Sequence, residues 1–347
     1  MYKKFFVIGG VILVIIIISI TVMTYFVRVD SPLVLTVRKT LHLPAIVVDG
    51  HNISIAEIEE NTASIKRFYE NQDFSKLGIR IDFDTEDGQK RLKLEEKTMI
   101  NKLIEDIAIE ELAKEWDISI SKDAVKSAME RPMNEMGTEK AVKQKLQELY
   151  GWTLNDFGEK VVKKQLLKEK VSAIFDEQNP ATDEMKQKIQ KAKKELDDNR
   201  VFADVAQTYS DGIHANEGGI MGWFADGQIQ DEIGQQIFTM DKGEYTDIIE
   251  TPFGLHIVYI DDITEVDGKK MVHLSQIVVK KQTLADFINE KIKKMNVKIF
   301  IPGYEWDAPN AVVIFADEDM KKFEQKILQE RILQQQNTQE IKNNVNE

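Results

Sequence analysis

Apolar residues recur at intervals of three and four along residues 96–116, which is the spacing of one face of an α-helix. The residues on this face are Met99, Ile100, Leu103, Ile104, Ile107, Leu112 and Trp116. Similar patterns predict a helix after the N-cap residue Ser121, another at 139–150 and a longer one at 154–175. The first half of the chain beyond residue 44 is therefore predicted to be helical.

The pattern changes after Pro180, where short helices begin to alternate with short apolar strands. Thr182 is the expected N-cap of the first of these helices. Strands are predicted at 221–224 and 246–250, with a short helix at 230–238 between them. This alternation favours an α+β domain with a small antiparallel sheet.

The end of this region reads as a β-hairpin with the sequence FGLHIVYIDDITEVDGKKMVHLSQIVVK, from Phe253 to Lys280. Two apolar strands flank an Asp-Gly turn, which is a common two-residue hairpin connection. One strand carries His256 and the other carries His273, although the whole chain has only five histidines. The hairpin is therefore the first place to look for chemistry.

An apolar run from Phe5 to Val27 is uncharged and rich in Val, Ile and Phe. A helix of about 20 apolar residues crosses a hydrocarbon core of about 30 Å. Lys3 and Lys4 precede the run and no small-residue cleavage site follows it, so an uncleaved signal anchor over 1–28 is expected. A cleaved signal peptide is the alternative. Basic residues lie on both sides of the run, so charge asymmetry does not determine which end faces the cytoplasm.

The remaining domain bounds follow from these changes in pattern. A linker is expected at 29–44, a helical domain at 45–177, the α+β domain at 178–303 and a polar tail at 304–347, partly helical or disordered. Both a solvated helix and a partner-binding helix remain open for the tail. The apolar residues that would form its stripe are Phe323, Ile327, Leu328, Ile332 and Leu333.

Composition narrows the possible functions. The formal net charge is −13 and the sequence pI is about 5.1, which argues against a nucleic-acid-binding protein with a basic face. The chain has no cysteine, so disulfides, a thiolate nucleophile and a cysteine-based zinc site are excluded.

Residues 202–260 resemble the parvulin-type peptidyl-prolyl isomerases. The motifs that carry the resemblance occur in order and are FADVAQTYSD, GGIMGWF, GQI and KGEYTDIIETPFGLHIV. The region upstream, with AIVVDGHNISIAEIEE at its start and the helices up to Phe175, is similar to the N-terminal chaperone domain of SurA- and PrsA-like foldases. The resemblance implies a helical chaperone domain followed by a parvulin-like domain with a small antiparallel sheet.

The opening strand of the family, which bears a histidine, is missing from its usual place before the helix near 183–196. A similar stretch, HLSQIVVK, occurs downstream at 273–280. In parvulins the first and last strands are antiparallel neighbours, so a strand that follows the last one through a tight turn would fall into the vacant position. We therefore expect the first strand to be permuted to the C-terminal side, with an extra edge strand as the alternative.

The resemblance also assigns candidate site residues. His256 matches the second active-site histidine, and Thr251 matches a hydroxyl of the same hydrogen-bonded network. The strand alignment puts Gln276, not His273, at the first histidine position, because residues 273 and 276 face opposite sides of a strand. Asp211, in the family's YSD-like motif, is grouped with His256, Gln276 and Thr251 as a catalytic residue. The polar residue that usually follows it is replaced here by a glycine at 212.

The family's apolar pocket for the proline ring is expected at Met221, Ile229 and Ile233, with Gln230 and Phe253 as further substrate-binding residues. Taken without the family, ordinary core is the favoured interpretation of the three apolar residues. No cofactor or metal is implied. Nothing in the chain resembles the basic loop of phosphate-reading parvulins.

The function that the resemblance implies is a membrane-anchored foldase of the plasma (inner) membrane, single-pass, with its folded domains on the extracytoplasmic side. It would catalyse cis/trans isomerisation of X–Pro bonds and hold unfolded exported proteins during folding. Its partners would be unfolded, proline-containing polypeptides and, through residues 5–27, the membrane. The alternative is a weakly active or inactive parvulin-fold holdase chaperone that only binds client peptides.

Overall fold

A computed structural model describes residues 40–72, 82–266 and 268–344, together with Thr36. The apolar run at 5–27 lies outside these residues, as does much of the linker expected at 29–44. Within the described ranges, no helix is both long and apolar enough to cross a membrane. The architecture is α+β with small antiparallel sheets, as the sequence predicts.

The helices follow the predicted pattern in the first half and alternate with strands in the second. They are α1 Ile55–Asn71, α2 Glu86–Glu115, α3 Lys122–Met136, α4 Glu139–Leu149, α5 Leu154–Phe157, α6 Lys163–Gln178, α7 Asp183–Asp197, α8 Phe202–Tyr209, α9 Asp231–Ile237, α10 Leu284–Lys294 and α11 Glu318–Asn344. A π-helical turn, Gly158–Val162, connects α5 to α6, and a 3₁₀ turn, Ala215–Glu217, follows α8.

The strands are short except in the hairpin. They are β1 Pro44–Val48, β2 His51–Ser54, β3 Ile220–Ala225, β4 Ile249–Thr251, β5 Gly254–Val266, β6 Lys269–Lys280, β7 Val297–Ile299, β8 Tyr304–Asp307 and β9 Val312–Phe315.

Side-chain caps begin several helices where the sequence places them. Ser54, Ser121 and Thr182 each accept a hydrogen bond from the backbone N–H three residues later. The helix predicted at 96–116 begins ten residues earlier, at Glu86, because Thr85 caps it there by accepting a hydrogen bond from the Gly88 N–H at 3.1 Å.

The chain divides into two compact units. Of the described residues, those up to Val171 and Ile288–Thr338 form the first unit, and Ser172–Phe287 with the described chain end from Gln339 form the second. This division differs from the bounds expected from the sequence, which ended the α+β domain at 303 and left 304–347 as a polar tail.

Strand pairing explains why residues beyond 288 belong to the first unit. The first unit has a three-stranded sheet in the order β2-β1-β7, and β7 pairs antiparallel with β1 through Ile46 and Ile299. The run VKIFI, expected in the α+β domain, therefore completes the sheet of the helical unit. Apolar residues of β1 are fully buried there, and β7 covers the edge that β1 would otherwise expose.

The expected tail is structured over most of its length. Its hairpin β8-β9 contacts α2 through the Tyr304 hydroxyl, which donates to Glu96 Oε1 at 2.8 Å. Helix α11 is joined to the same helix by an ion pair between Lys97 and Glu324. Ile327 is 5% exposed, whereas its neighbour Leu328 is 58% exposed. One face of α11 is therefore buried, and the adjacent face of the same helix is exposed to solvent.

The second unit is built on a four-stranded antiparallel sheet in the order β3-β6-β5-β4. One cluster of buried apolar residues on this sheet packs with α7 and α8, and a second packs with α9. The first cluster includes Ile189, Leu196, Val205, Ile257 and Ile277. The second includes Ile233, Ile237, Val258, Ile260 and Leu274. Successive residues of β5 and β6 thus point to opposite, buried faces.

Strand β6 is central and has partners on both sides. It pairs with β5 from Gly254↔Lys280 to Val266↔Lys269, and with β3 from Ile220↔Ser275 to Ala225↔Met271. The alternative of an extra edge strand does not describe this sheet, because β6 separates β3 from β5.

We predict that the packed and solvated faces of α11 respond differently to truncation. Ile327→Ala should lower the free energy of unfolding of the first unit by about 2–5 kcal/mol, because it leaves a cavity. Leu328→Ala, the matched control one residue away, should change it by less than about 0.5 kcal/mol. Amide hydrogen exchange in α2 measures both. Equal losses for the two variants would contradict the packing described here.

Candidate active site

A cleft of about 630 Å³ opens on the second unit beside strands β5 and β6. The sequence-predicted residues that line it are Met221, Ile229, Gln230, Ile233, Phe253, His256 and Gln276. They come from four separate segments of the chain, so the fold brings them together. Thr251 and Asp211 are not among the lining residues.

His256 lies on β5, in the wall of the cleft, and is 4% exposed. Its Nε2 is 2.8 Å from Thr251 Oγ1, and that oxygen also accepts a hydrogen bond from the Phe253 N–H at 3.1 Å. The tight connection from β4 to β5 places the threonine beside the imidazole. Thr251 therefore orients the ring from behind the cleft wall.

Burial makes His256 a neutral residue. Removal of the ring from water lowers its pKa from 6.5 to about 4, although the Gln276 side chain and the negative charge of Glu232 both favour the protonated form. The imidazole Nδ1 is buried and makes no hydrogen bond of normal geometry. The cleft thus contains an uncharged imidazole with one ring nitrogen left for another partner.

The two candidates for the partner of His256 lie in different places. Gln276 lines the cleft, and its backbone N–H donates to Gly219 O at 2.8 Å. His273 lies outside the cleft, where its Nδ1 is 3.1 Å from Asp261 Oδ2 and its ring meets Trp223 edge to face. The strand period of two separates these side chains.

Gly219 allows β6 to approach this closely. Its φ of +84° suits glycine, and a Cβ at this position would lie 2.4 Å from the Gln276 carbonyl oxygen. A larger residue here would push β6 away from β3 and move Gln276 out of the cleft wall.

Asp211 supports the loop instead of facing the cleft. Its carboxylate pairs with Lys188 and accepts a hydrogen bond from the Lys280 N–H at 3.2 Å. The resemblance to parvulins groups Asp211 with the catalytic residues, whereas in the structure it ties the loop after α8 to the end of β6.

Ser210 is a cleft residue that the sequence analysis missed. Its Oγ accepts hydrogen bonds from the Gly212 N–H and the Val278 N–H, each at 3.1 Å, so its hydroxyl proton remains to donate. A serine two residues before a glycine is typical of a turn in which the hydroxyl caps the backbone, and that signal could have identified it.

The apolar side of the cleft is formed by β3 and by the start of α9. Ile233 is buried, Ile229 is half-buried and Met221 is exposed to the cleft. Between them, Gln230 Oε1 is buried without a hydrogen-bond partner in the described structure. The cleft therefore combines an apolar wall with two unpaired polar atoms, Gln230 Oε1 and His256 Nδ1.

The family model described as "Rotamase: PPIC-type PPIASE domain" matches residues 166–262. This region is therefore similar to a PPIC-type peptidyl-prolyl isomerase domain. The matched residues include β3, α9, β4 and the first part of β5, and they end before β6 begins.

Curated relatives of the chain are foldases and chaperones by name. Foldase protein PrsA 1 of Bacillus cereus is 32% identical over 117 residues, which cover 31% of this chain and 41% of that protein. Foldase protein PrsA of Staphylococcus epidermidis is 31% identical over 153 residues, covering 43% and 44%. Chaperone SurA of Cupriavidus metallidurans is 28% identical over 102 residues, covering 29% and 21%. The chain spans less than half the length of these relatives.

A solved structure of PrsA from Bacillus subtilis is also similar. It is 18% identical to the chain, the match covers 58% of this chain and 77% of that chain, and the TM-score is 0.21.

We predict that His256 stays neutral well below the ordinary histidine range. Its ring resonances, followed by NMR, should be constant from pH 8 to about 5 and should shift only as the pH approaches 4. The unfolded chain takes up this proton near pH 6.5, so the stability linked to this residue is complete above that value and falls as the pH drops toward 4. A midpoint near 6.5 in the folded protein would contradict the burial of the ring.

Proposed function

We propose that the PPIC-type domain catalyses cis/trans isomerisation of X–Pro bonds. The observation that carries this proposal is the cleft in which Met221, Ile229 and Ile233 converge beside the buried, neutral His256. An apolar wall of this kind can accept a proline ring. The domain match and the PrsA and SurA relatives support a parvulin-type foldase.

Such a cleft can lower the barrier without a covalent intermediate. Rotation about an X–Pro bond faces a barrier of roughly 18–20 kcal/mol, because amide resonance is lost in the twisted state. Resonance places negative charge on the amide oxygen, and a water-poor cleft stabilises that planar, charge-separated form less than water does. Each tenfold acceleration requires only about 1.4 kcal/mol of preferential binding to the twisted amide.

The roles that we propose for the site residues follow from this chemistry. His256 and Gln276 provide uncharged polar contacts at the amide, and Thr251 holds the imidazole in place. Gln230 Oε1 accepts a hydrogen bond from the client backbone, which would satisfy its unpaired buried oxygen. Phe253 lies at the rim and Asp211 keeps the loop on β6.

We further propose that β6 is the family's first strand, permuted to the C-terminal side. In parvulins the first strand neighbours the last one, and β6 has that neighbour in β5. The family match ends at residue 262, before β6 begins. A family pattern that has this strand at the start of the domain would not align with a strand at its C-terminal end. Gln276 then stands where the family has its first histidine.

The first unit is proposed to hold unfolded clients. A second cleft of about 600 Å³ lies in this unit between α1, α2 and the π-helical turn, with an apolar floor that includes Ile65, Met99 and Leu103. Turns of π-helix are frequent at functional sites. This cleft supports the alternative function, a holdase that binds client peptides with little or no isomerase activity.

We propose that residues 5–27 anchor the protein in the plasma membrane as a single-pass helix, with both units on the extracytoplasmic side. Clients would then be unfolded, exported polypeptides that contain proline. The proposal rests on the apolar run and on the names of the foldase relatives.

Isomerisation of a proline-containing peptide by the full chain tests this function. His256→Ala should slow the catalysed rate by roughly tenfold, or about 1.4 kcal/mol, because the cleft loses the imidazole. His273→Ala is the matched control, since that histidine lies on the same hairpin but outside the cleft, and the rate should stay within about twofold. Thermal unfolding of both variants checks that the fold survives.

Two results would contradict the isomerase. Equal rates for the His256 and His273 variants would show that the cleft takes no part in catalysis. A chain that prevents client aggregation but leaves peptide isomerisation at the uncatalysed rate would favour the holdase.

A further inference from the structure

The loop between α8 and β3 holds a large apolar side chain outward at the cleft. Ile213 is 85% exposed, the highest value among the large apolar residues that the structure describes. It also lines the same cleft as His256. A single exposed isoleucine is common on protein surfaces, so its position matters more than its exposure.

Hydrogen bonds fix the backbone on both sides of Ile213. The loop begins with a backbone hydrogen bond to β6. After the isoleucine, the Ala215 N–H donates to Gly212 O at 3.1 Å, and the Gly219 N–H donates to His214 O at 2.9 Å. These hydrogen bonds fix the backbone that carries Ile213, so its side chain is presented to a ligand from a defined position on the cleft rim.

The cleft rim near this loop carries apolar residues, and its Lys281 already lies beside a carboxylate. Phe253 is a further exposed apolar residue on the rim. The Lys281 ammonium lies 3.5 Å from Glu250 Oε1, and His214 Nδ1 lies 3.0 Å from the Glu217 carboxylate. Because Lys280 also lines the cleft, apolar contact and the charge of this lysine are the two ways in which the rim can distinguish one ligand side chain from another.

We propose that Ile213 is a specificity-determining residue that contacts an apolar side chain next to the client proline, with Phe253 on the same rim. This inference deepens the proposed isomerase function and rests on it for the orientation of the proline in the cleft. The preferred clients are then Pro-containing segments in which a leucine-like residue adjoins the proline.

Recognition of an acidic side chain by Lys280 is the competing possibility. This lysine lines the same cleft, and an acidic residue next to the proline would be its natural partner. The two outcomes differ in the sign of the preference between leucine and glutamate, so one peptide series separates them.

The experiment uses the full chain in detergent with fluorescent peptides that carry Leu, Ala or Glu before or after a single proline. The dissociation constant and the cis/trans exchange rate are measured for each peptide. We expect the Leu peptide to bind roughly tenfold more tightly than the Ala peptide in at least one series. Ile213→Asn should reduce this ratio to about twofold or less, and Ile213→Val should retain most of it.

Val201→Asn is the matched control. Val201 is a β-branched residue of the same unit that is 64% exposed but does not line the cleft, so the Leu-to-Ala ratio should not change. Equal affinities for Leu and Ala, an unchanged ratio in Ile213→Asn, or tightest binding of Glu that is lost in Lys280→Gln would each overturn the inference. Absence of rate acceleration for every peptide would overturn the isomerase instead, because the dissociation constants still report the preference.

Discussion

Insertion of β6 between β3 and β5 is the constraint on which the second unit depends. The strand pairs on both edges and contributes buried residues to both faces of the sheet. It also carries Gln276 in the cleft wall and supplies backbone partners for the loop around Ser210. A single late strand therefore completes the sheet, the core and the cleft together.

The cleft differs from the parvulin pattern at position 212, and the packing of the loop explains the glycine found there. A Cβ at position 212 would lie 3.2 Å from both Ser210 Oγ and Val278 Cγ1, so the glycine reflects the close packing of the loop on β6. Ser210 instead presents a hydroxyl to the cleft, backed by two backbone N–H groups. The uncharged polar groups of the site are thus a hydroxyl, carboxamides and a neutral imidazole.

Local chemistry made much of this fold predictable from sequence. The caps at Ser54, Ser121 and Thr182, the helical spacing of apolar residues and the hairpin flanking its Asp-Gly turn all depend on neighbouring residues. Pairing between distant segments is not encoded in this way. Nothing near VKIFI indicates that β7 pairs with β1 across about 250 residues of chain, and the burial of one face of α11 depends on α2. The family pattern grouped the cleft residues, but it could not reveal that Asp211 turns toward Lys188.

Hydrogen exchange of the full chain with and without a proline-containing peptide tests the central claim most directly, namely that a cleft completed by β6 binds prolyl segments. The account predicts slower exchange at 212–215, 228–233 and 276–281 when the peptide is present, and no such change when alanine replaces the proline. Protection confined to the first unit, or an equal response to both peptides, would contradict it.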